Sequence, residues 1–568
     1  MAGIGLLLNI AKDALLTQQY AIDLTSHNIS NVSTEGYSRQ TPVIGAKEAA
    51  PYGGFLFGRG VEISEILRNT NIFIEKRFLS GQSDLSAMSE KEQYMGILET
   101  LFNEDSAGSL NSRITDFWNA WNDLSNNPSG LSERSILTEY GTLLTEGFNN
   151  LKGDLDELAQ EIDNSIDGCV NEVNRLLAGI ADLNRQILVI ETSGNANDLR
   201  DQRSLMVSRL SEYLDLKTYE YDDGSVTITT GKGYNLVSRN DTYSLRFDGN
   251  DLIWEGSSTS WVAITDMISG GRIGGLLDMK VESIPEYSYN LDELAKATIW
   301  EINKIHSQGV GLKGFTDLAG DYSVTDGNKA MGDVDSGLDF HDKITDGSFK
   351  IWLYDASGTA LGEATIPVDS DADTLYDLAA TIDGISIAGE DALTATVRDG
   401  KLCIEIDSTS CPDYTFAFSD DTSNILAALG INTFFSSSNS GNIAVTDNIL
   451  SDTNNISASR INNNVGPAAG AIDNTSTGIL TTSGPYTGDE DATYEIRIVN
   501  GTQFQWSKDG SAWSTDTDMT GSPVLGGDGV KITFNGSFDV DDTFTIDVTE
   551  NSDTYGDFTP GDNRNALA

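Results

Sequence analysis

Three histidines, three cysteines and a few short glycine- or aspartate-rich strings are where residue type and spacing raise the question of chemistry in this chain of 568 residues. His27, His306 and His341 stand far apart. None has a second His or a Cys at zinc-ligand spacing, and no His-Glu-x-x-His helix motif occurs. There is no Gly-x-Ser-x-Gly nucleophile elbow. Gly231-Lys232-Gly233 and Gly271-Arg272-Ile273-Gly274 superficially suggest phosphate loops but lack the Walker and dinucleotide spacings, and both read as turns. Asp369-Ser370-Asp371-Ala372-Asp373 is the nearest approach to a metal motif. An EF-hand loop would need Gly where Thr374 stands and a bidentate Glu where Ala380 stands, so the calcium reading fails. Adjacent carboxylates are common among 87 acidic residues, and glycosidase work needs a cleft at defined separation that no spacing here establishes. The expectation is a protein that is not an enzyme, with no metal and no cofactor. Cys169 lies on a helical apolar stripe and reads as core. A bridge between Cys403 and Cys411 is left open, since it depends on their Cα separation.

The length calls for several domains, and 39% hydrophobic content suffices for globular folding. The formal charge of −52 is uneven: residues 1–100 carry 8 Lys/Arg against 11 Asp/Glu, so nearly all of the excess lies beyond them. Such a surface repels nucleic acid and anionic membranes, because both need clustered cations to displace counterions. It reads as a solvated acidic exterior. The Leu6-Leu7-Leu8 run is broken by Asn9, Lys12 and Asp13 and has no basic region before it, so it reads neither as a secretory signal nor as a membrane span.

The elements that must position anything functional are mostly helices in the first half. Ile4, Leu8, Ala11, Leu15, Gln18, Ile22, Thr25 and Ile29 follow a strict heptad alternation, a stripe that wants a partner helix. Asn28 to Gly36 then reads as a polar loop or hinge. A longer stripe runs through Leu151, Leu155, Leu158, Ile162, Ile166, Cys169, Val173, Leu176, Ile180, Leu183, Ile187 and Ile190, with one stutter. Shorter helices are expected at Asp84–Asn103, Ser109–Leu124, Ser132–Asn149, Asn197–Leu214 and Ser283–His306. Period two takes over between Thr218 and Glu255, with turns at Asp223-Gly224 and Asp248-Gly249. From Ile344 the chain is largely β. Asp373 is read as the cap of a short helix through Ile382, Asp399-Gly400 as a turn, Asp421–Leu429 as another short helix, and Asn500-Gly501 as a hairpin.

The string from Leu15 to Arg39, LLTQQYAIDLTSHNISNVSTEGYSR, is similar to the N-terminal signature of the bacterial flagellar axial proteins, which build the rod, hook and filament junction. Within that superfamily, Glu35-Gly36-Tyr37-Ser38-Arg39-Gln40 resembles the hook-associated protein 1 family of the hook–filament junction. Phe117-Trp118-Asn119-Ala120-Trp121, Leu199-Arg200-Asp201-Gln202-Arg203, Ala428 to Phe435, and Gly561 to Leu567 continue the resemblance in order. It is close over roughly the first 310 residues and patchy afterwards.

The fold class expected is multidomain α + β: a terminal helix and a long, coiled-coil-like helical rod, with β-rich modules inserted or appended. Residues 1–36 are read as the assembly helix and signature loop; 37–215 and 270–312 as the rod; 216–269 as a small β meander; 344–435 as an α+β module. Residues 436–482 are read as a loose Ser/Asn/Gly-rich connector and 483–552 as a last β module. Residues 556–568 are read as the start of a C-terminal helix that breaks off, which would leave the N-terminal stripe without its intrachain partner. The resemblance implies a structural subunit exported by the flagellar type III apparatus and placed outside the cell at the hook–filament junction. It implies self-association in a ring or helical lattice, the hook protein and hook-associated protein 3 as neighbours, and an export chaperone at a C-terminal segment. The assembly residues expected are Leu8, Leu15, Ile22 and Ile29 on the stripe, with Asn28, Asn31, Gly36, Tyr37 and Arg39 in the signature. The alternatives are another axial or hook protein and, further off, an exported adhesin or enzyme.

Overall fold

The computed structural model describes residues 2–550, apart from 53–54, 104–107, 193, 258–259, 462–464, 467, 472–473 and 477, together with Gly556. The expected C-terminal helical start at 556–568 therefore falls, but for Gly556, outside the described residues. The chain divides into two compact units, Met1–Leu101 with Asp154–Ser288, and Phe102–Gly153 with Tyr289–Ala568.

In the first unit, α1 (Ala2–Ser30) leads into an antiparallel pair, Gln40–Ala46 with Val61–Arg68, whose far end carries the short hairpin Ala50–Tyr52 with Phe55–Phe57. This corrects the reading of 37–68 as part of a helical rod. Val61-Glu62-Ile63 alternates with period two, and the strand lies under α1 rather than continuing a helix. Helix α2 (Ile72–Leu101) follows. In place of two separate segments at 132–149 and 151–190, a single helix α4 (Leu131–Ile190) carries the long stripe, with α3 (Leu110–Asn126) before it. The helix runs without a break through Gly153, which has open space around it.

The long stripe is buried. Leu155, Ile162, Ile166, Val173, Ile180 and Ile187 are fully covered, and Gly179 lets Met206 Sδ approach. Met206 belongs to α5 (Asn197–Ser211). Helix α6 (Gly271–Asp278) replaces the turn expected at Gly271-Arg272-Ile273-Gly274. Its glycines serve close packing: a Cβ on Gly275 would meet the Ala87 carbonyl oxygen of α2 at 2.5 Å. Gly271 has φ +70 and lies against the Tyr213 backbone. A π turn, Met279–Ser283, joins α6 to α7 (Ile284–His306). Pro285 has no N–H for the carbonyl four residues back, which favours a widened turn here.

The meander of 216–269 is two antiparallel sheets, one of four strands (Leu216–Glu220, Val226–Thr230, Asn235–Ser238, Asp241–Thr242) and one of three (Leu245–Phe247, Leu252–Ser257, Ser260–Ala263). They are tied to α4 by Asn174, which brackets the Leu245 backbone, and by Asn184, which donates to Val226 O and Arg239 O.

In the second unit the α+β module begins before Ile344, because Asp317–Ala319 joins Leu393–Arg398 and Lys401–Ile406 in one sheet. A second sheet has Gly347–Tyr354 between Ala360–Val368 and Thr415–Ser419. The turn at Asp399-Gly400 has positive φ at both residues, as a tight antiparallel hairpin requires. Helix α8 (Leu375–Asp383) is capped by Thr374, with Asp377 closing the capping box, and not by Asp373; the hydroxyl one residue later reaches the N3 amide. The helix at Asp421–Leu429 shrinks to Ile425–Ala428. The connector 436–482 is not loose: Ile443, Val445, Ile449 and Ile456 are all buried, and α4 reaches it through Asn149 Nδ2 to Ile443 O. The last module is a five-stranded sheet centred on Ala492–Asn500 and Thr543–Val548, with Ile479–Ser483 paired to Lys531–Asn535 and a shared core of Tyr494, Ile496, Ile498, Phe504 and Ile546.

Candidate assembly surface

Helix α1 has two faces of different chemistry. Leu6, Ile10, Ala14, Thr17, Ala21, Leu24, Asn28 and Asn31 share the half-buried face, which lies on the 40–46/61–68 pair. Small residues allow the approach, and Thr17 Oγ1, the one fully buried member, donates to Asp13 O and Val61 O. Lys47 ties the same face to Asp13 at 3.0 Å. The heptad stripe is the other face. Ile4, Leu8, Leu15, Ile22 and Ile29 are 65–73% exposed, and none of the described residues covers them. Covering a Leu or Ile is worth about 1.5–3 kcal/mol, so these five side chains hold of order 10 kcal/mol of unrealised burial. Phe55, Leu56, Ile72, Phe73, Ile74 and Phe78 of the same unit are exposed as well.

The signature loop is held by a clasp at the end of this helix. Asn28 Nδ2 donates to Gln40 O at 2.8 Å, and its Oδ1 accepts from Gln40 N–H at 2.9 Å, so one amide side chain pairs with the chain like a strand. The Tyr37 hydroxyl donates to the same Oδ1 at 2.8 Å and lies 3.1 Å from His27 Nδ1. Burial raises the Tyr37 pKa, and the negative charges of Asp198 and Asp201 add to it. Asn31 Nδ2 donates to His27 O and its Oδ1 accepts from Thr34. Gly36 adopts φ +76 with the Leu205 side chain 3.0 Å from where a Cβ would stand, so both its conformation and its space favour glycine. Ser38 N–H and Arg68 Nε share the Asp201 carboxylate, and Gln40 Nε2 reaches Asp198.

The expected assembly residues thus separate. Leu8, Leu15, Ile22 and Ile29 form an open face; Asn28, Asn31, Gly36 and Tyr37 make intrachain contacts; Arg39 is exposed beside them. Sequence reasoning missed Asp198 and Asp201, which anchor the loop from a helix far along the chain. The string containing Asp201 stood out only by its family likeness.

The residues first searched for chemistry have other employment. His27 belongs to the clasp, and the ring of His341 bonds Gly332 O. His306 is wholly buried: Nδ1–H donates to Asn432 O at 2.8 Å, and Nε2 accepts from Ser457 N–H at 2.9 Å. Burial lowers its pKa to about 4, which keeps the ring neutral in this one tautomer. Asn432, in the left-handed region, donates to the carbonyls of His306, Ser307 and Gly309. Arg134 is completely buried and donates to Pro128 O and Ile456 O, while Phe117, Trp121, Phe434 and Phe435 pack around the node. Asn432 and Arg134 also went unread, because their partners lie far away in sequence.

Arg272 pairs with Glu90 through two nitrogens, and Gly231-Lys232-Gly233 is the turn between two strands. Asp369 accepts from the backbone of Asp371 and Ala372 in its own loop. All three cysteines are free and buried. Among the described residues no cluster of three or more metal-ligating side chains occurs, and no helix is long and apolar enough to cross a membrane.

These features define a class: a multidomain α + β protein whose helical part carries β modules and leaves one heptad face of its first helix uncovered. Residues 95–320 match the family model described as the flagellar hook-associated protein FlgK helical domain. The chain is 26% identical over 345 residues to flagellar hook-associated protein 1 of Bacillus subtilis, covering 54% of this chain and 68% of that one. Against the protein of the same name from Escherichia coli K12 it is 25% identical over 359 residues, covering 60% and 64%. The aligned part thus spans about two thirds of these relatives. A solved structure, of the flagellar hook junction protein FlgK from Burkholderia pseudomallei, overlaps 84% of this chain with 16% identity and a TM-score of 0.45.

Proposed function

We propose that this chain is a non-catalytic structural subunit of the bacterial flagellum, placed at the hook–filament junction outside the cell and delivered there by the flagellar type III apparatus. The observation that carries the reading is the open heptad face of α1, held on its own hairpin by the opposite face and set at its end by the Asn28–Tyr37 clasp. A surface of that kind is completed by a neighbouring helix, and repeated head-to-tail completion gives a ring or helical lattice. The match of the helical segment and the relatives' names support the location proposed. On this reading the neighbours are further copies of the chain, the hook protein and hook-associated protein 3, with a dedicated chaperone during export. Leu8, Leu15, Ile22 and Ile29 make the assembly contacts. Asn28, Asn31, Gly36 and Tyr37 set the angle at which the helix is presented, and Arg39 lies at its rim.

The test is complementation of a strain lacking this protein. Wild type restores filaments. The double variant Leu15→Asp/Ile22→Asp is exported and folded, yet leaves hooks without filaments by electron microscopy and filament protein in the medium. Normal motility with that variant would overturn the proposal.

A further inference from the structure

Lys350 lies in the centre of the sheet formed by Gly347–Tyr354, Ala360–Val368 and Thr415–Ser419, and its side chain is 2% exposed. Side chains alternate along a strand, so Lys350, Trp352 and Tyr354 share one face with Glu363 and Thr365 of one neighbour and Ser419 of the other. That face is sealed. Trp352 and Tyr354 are buried with Val310, Ala417 and Ile461; Thr365 donates to Thr482 O; Gly484 N–H donates to Glu363. Among the described residues the Lys350 Nζ has no hydrogen-bond partner. It stands 3.6 Å from Asp420 Oδ2 and 3.7 Å from Glu363 Oε1, beyond ordinary hydrogen-bond distance from both carboxylates.

A buried ammonium without a hydrogen bond is costly. A lysine whose ammonium has an aspartate and a buried glutamate within 4 Å also has at hand the reactants and the proton carrier for amide formation. We propose that Lys350 and Asp420 become joined by an intrachain isopeptide bond, with Glu363 relaying the proton. Glu363 is the relay because the Gly484 amide fixes it and it is buried; Asp420 is the acyl group because it sits at a strand end, in the left-handed region, with Ser419 Oγ donating to it.

The step balances without a co-reactant. A proton passes from the Nζ ammonium through Glu363 to the Asp420 carboxylate, leaving a free amine beside a carboxylic acid. The amine lone pair attacks Cγ. The C–O bond then breaks as Glu363 carries the second Nζ proton to the departing hydroxyl, which leaves as water. One buried cation and one anion disappear, and the sheet fixes the reacting groups in the proximity that makes an intramolecular reaction fast. The bond would close the segment between residues 350 and 420 covalently, constraining the unfolded chain as a disulfide does.

The experiment is intact-mass spectrometry of the full chain with peptide mapping. Expected is a mass lighter than the sequence by one water and a branched peptide joining the fragments that hold Lys350 and Asp420. Lys350→Arg, which keeps the charge, and Asp420→Ala should each show the full mass of their own sequence, with no water lost. Glu363→Gln, nearly isosteric, should leave most of the chain unreacted while circular dichroism shows it folded. A wild-type mass equal to that of the sequence overturns the proposal. So does a loss of water that persists in Lys350→Arg, since the dehydration would then lie elsewhere.

Discussion

Two stripes in this molecule are written in the same heptad pattern and meet opposite fates. The stripe on α4 from Leu155 to Ile187 is covered: Tyr94 of α2 bonds Ser165, Met206 of α5 fills the space over Gly179, and Lys280 pairs with Asp163. The stripe on α1 from Ile4 to Ile29 is bare, although the helix itself is docked through its smaller, more polar face. The periodicity makes each helix amphipathic, but coverage depends on what the rest of the chain brings to that face. A covered stripe holds a domain together, and a bare one is available to a partner.

The sharpest way to break this comparison is to place a charge on each stripe. Ile180→Asp in α4 buries an unpaired carboxylate and should destabilise the first unit by more than about 4 kcal/mol, enough to lose its cooperative thermal transition by circular dichroism. A normal transition would show that the α4 stripe is not the core it appears from burial.

Next in size is the His306 node of the second unit. Its folded pKa of about 4 lies below the ordinary value of 6.5, so the folded state favours the neutral ring. That contribution is complete above pH 6.5 and is lost as pH falls toward 4, amounting to about 3 kcal/mol in chemical denaturation. Asn432→Ala, which removes the donor to three carbonyls, should cost about 3 kcal/mol at neutral pH. Stability of the second unit that does not change between pH 7 and 4 would remove His306 from this role.

Smaller still is the clasp. Tyr37→Phe removes one hydroxyl shared between Asn28 and His27 and should cost about 1 kcal/mol, read as faster amide exchange at the end of α1 and in the loop after it. The smallest effect on the isolated chain belongs to Leu15→Asp/Ile22→Asp, whose side chains already face solvent: within about 0.5 kcal/mol of wild type by denaturation. That the same change should abolish incorporation is what separates a bare stripe from a covered one.

Much of this fold was legible in advance, for local reasons. Heptad spacing marked α1 and α4, Asp399-Gly400 and Asn500-Gly501 marked hairpins, and period two marked the strands at 349–353, 494–498 and 544–548. The misreadings have a common cause. The pair 40–46/61–68 is tied together across a long connection and gains its burial from α1, so its short alternation was easily passed over. Residues 443–456 look like a polar connector because their apolar residues are sparse, yet Asn149 and Arg134 on α4 bind the carbonyls of Ile443 and Ile456.

The candidate site divides in the same way. The four stripe residues followed from spacing alone. The signature residues stood out by resemblance, but their intrachain work with Asp198 and Asp201 did not.

By itself, then, the sequence determined the periods, the turns and the absence of any motif spaced for catalysis, because these depend on neighbours within a few residues. Tertiary structure alone decided which heptad face is covered, where a glycine is needed for close approach, and which buried polar groups meet. Those outcomes depend on distances between residues separated by tens to hundreds of positions. Burial, desolvation and hydrogen-bond satisfaction are properties of those distances, and no local pattern encodes them.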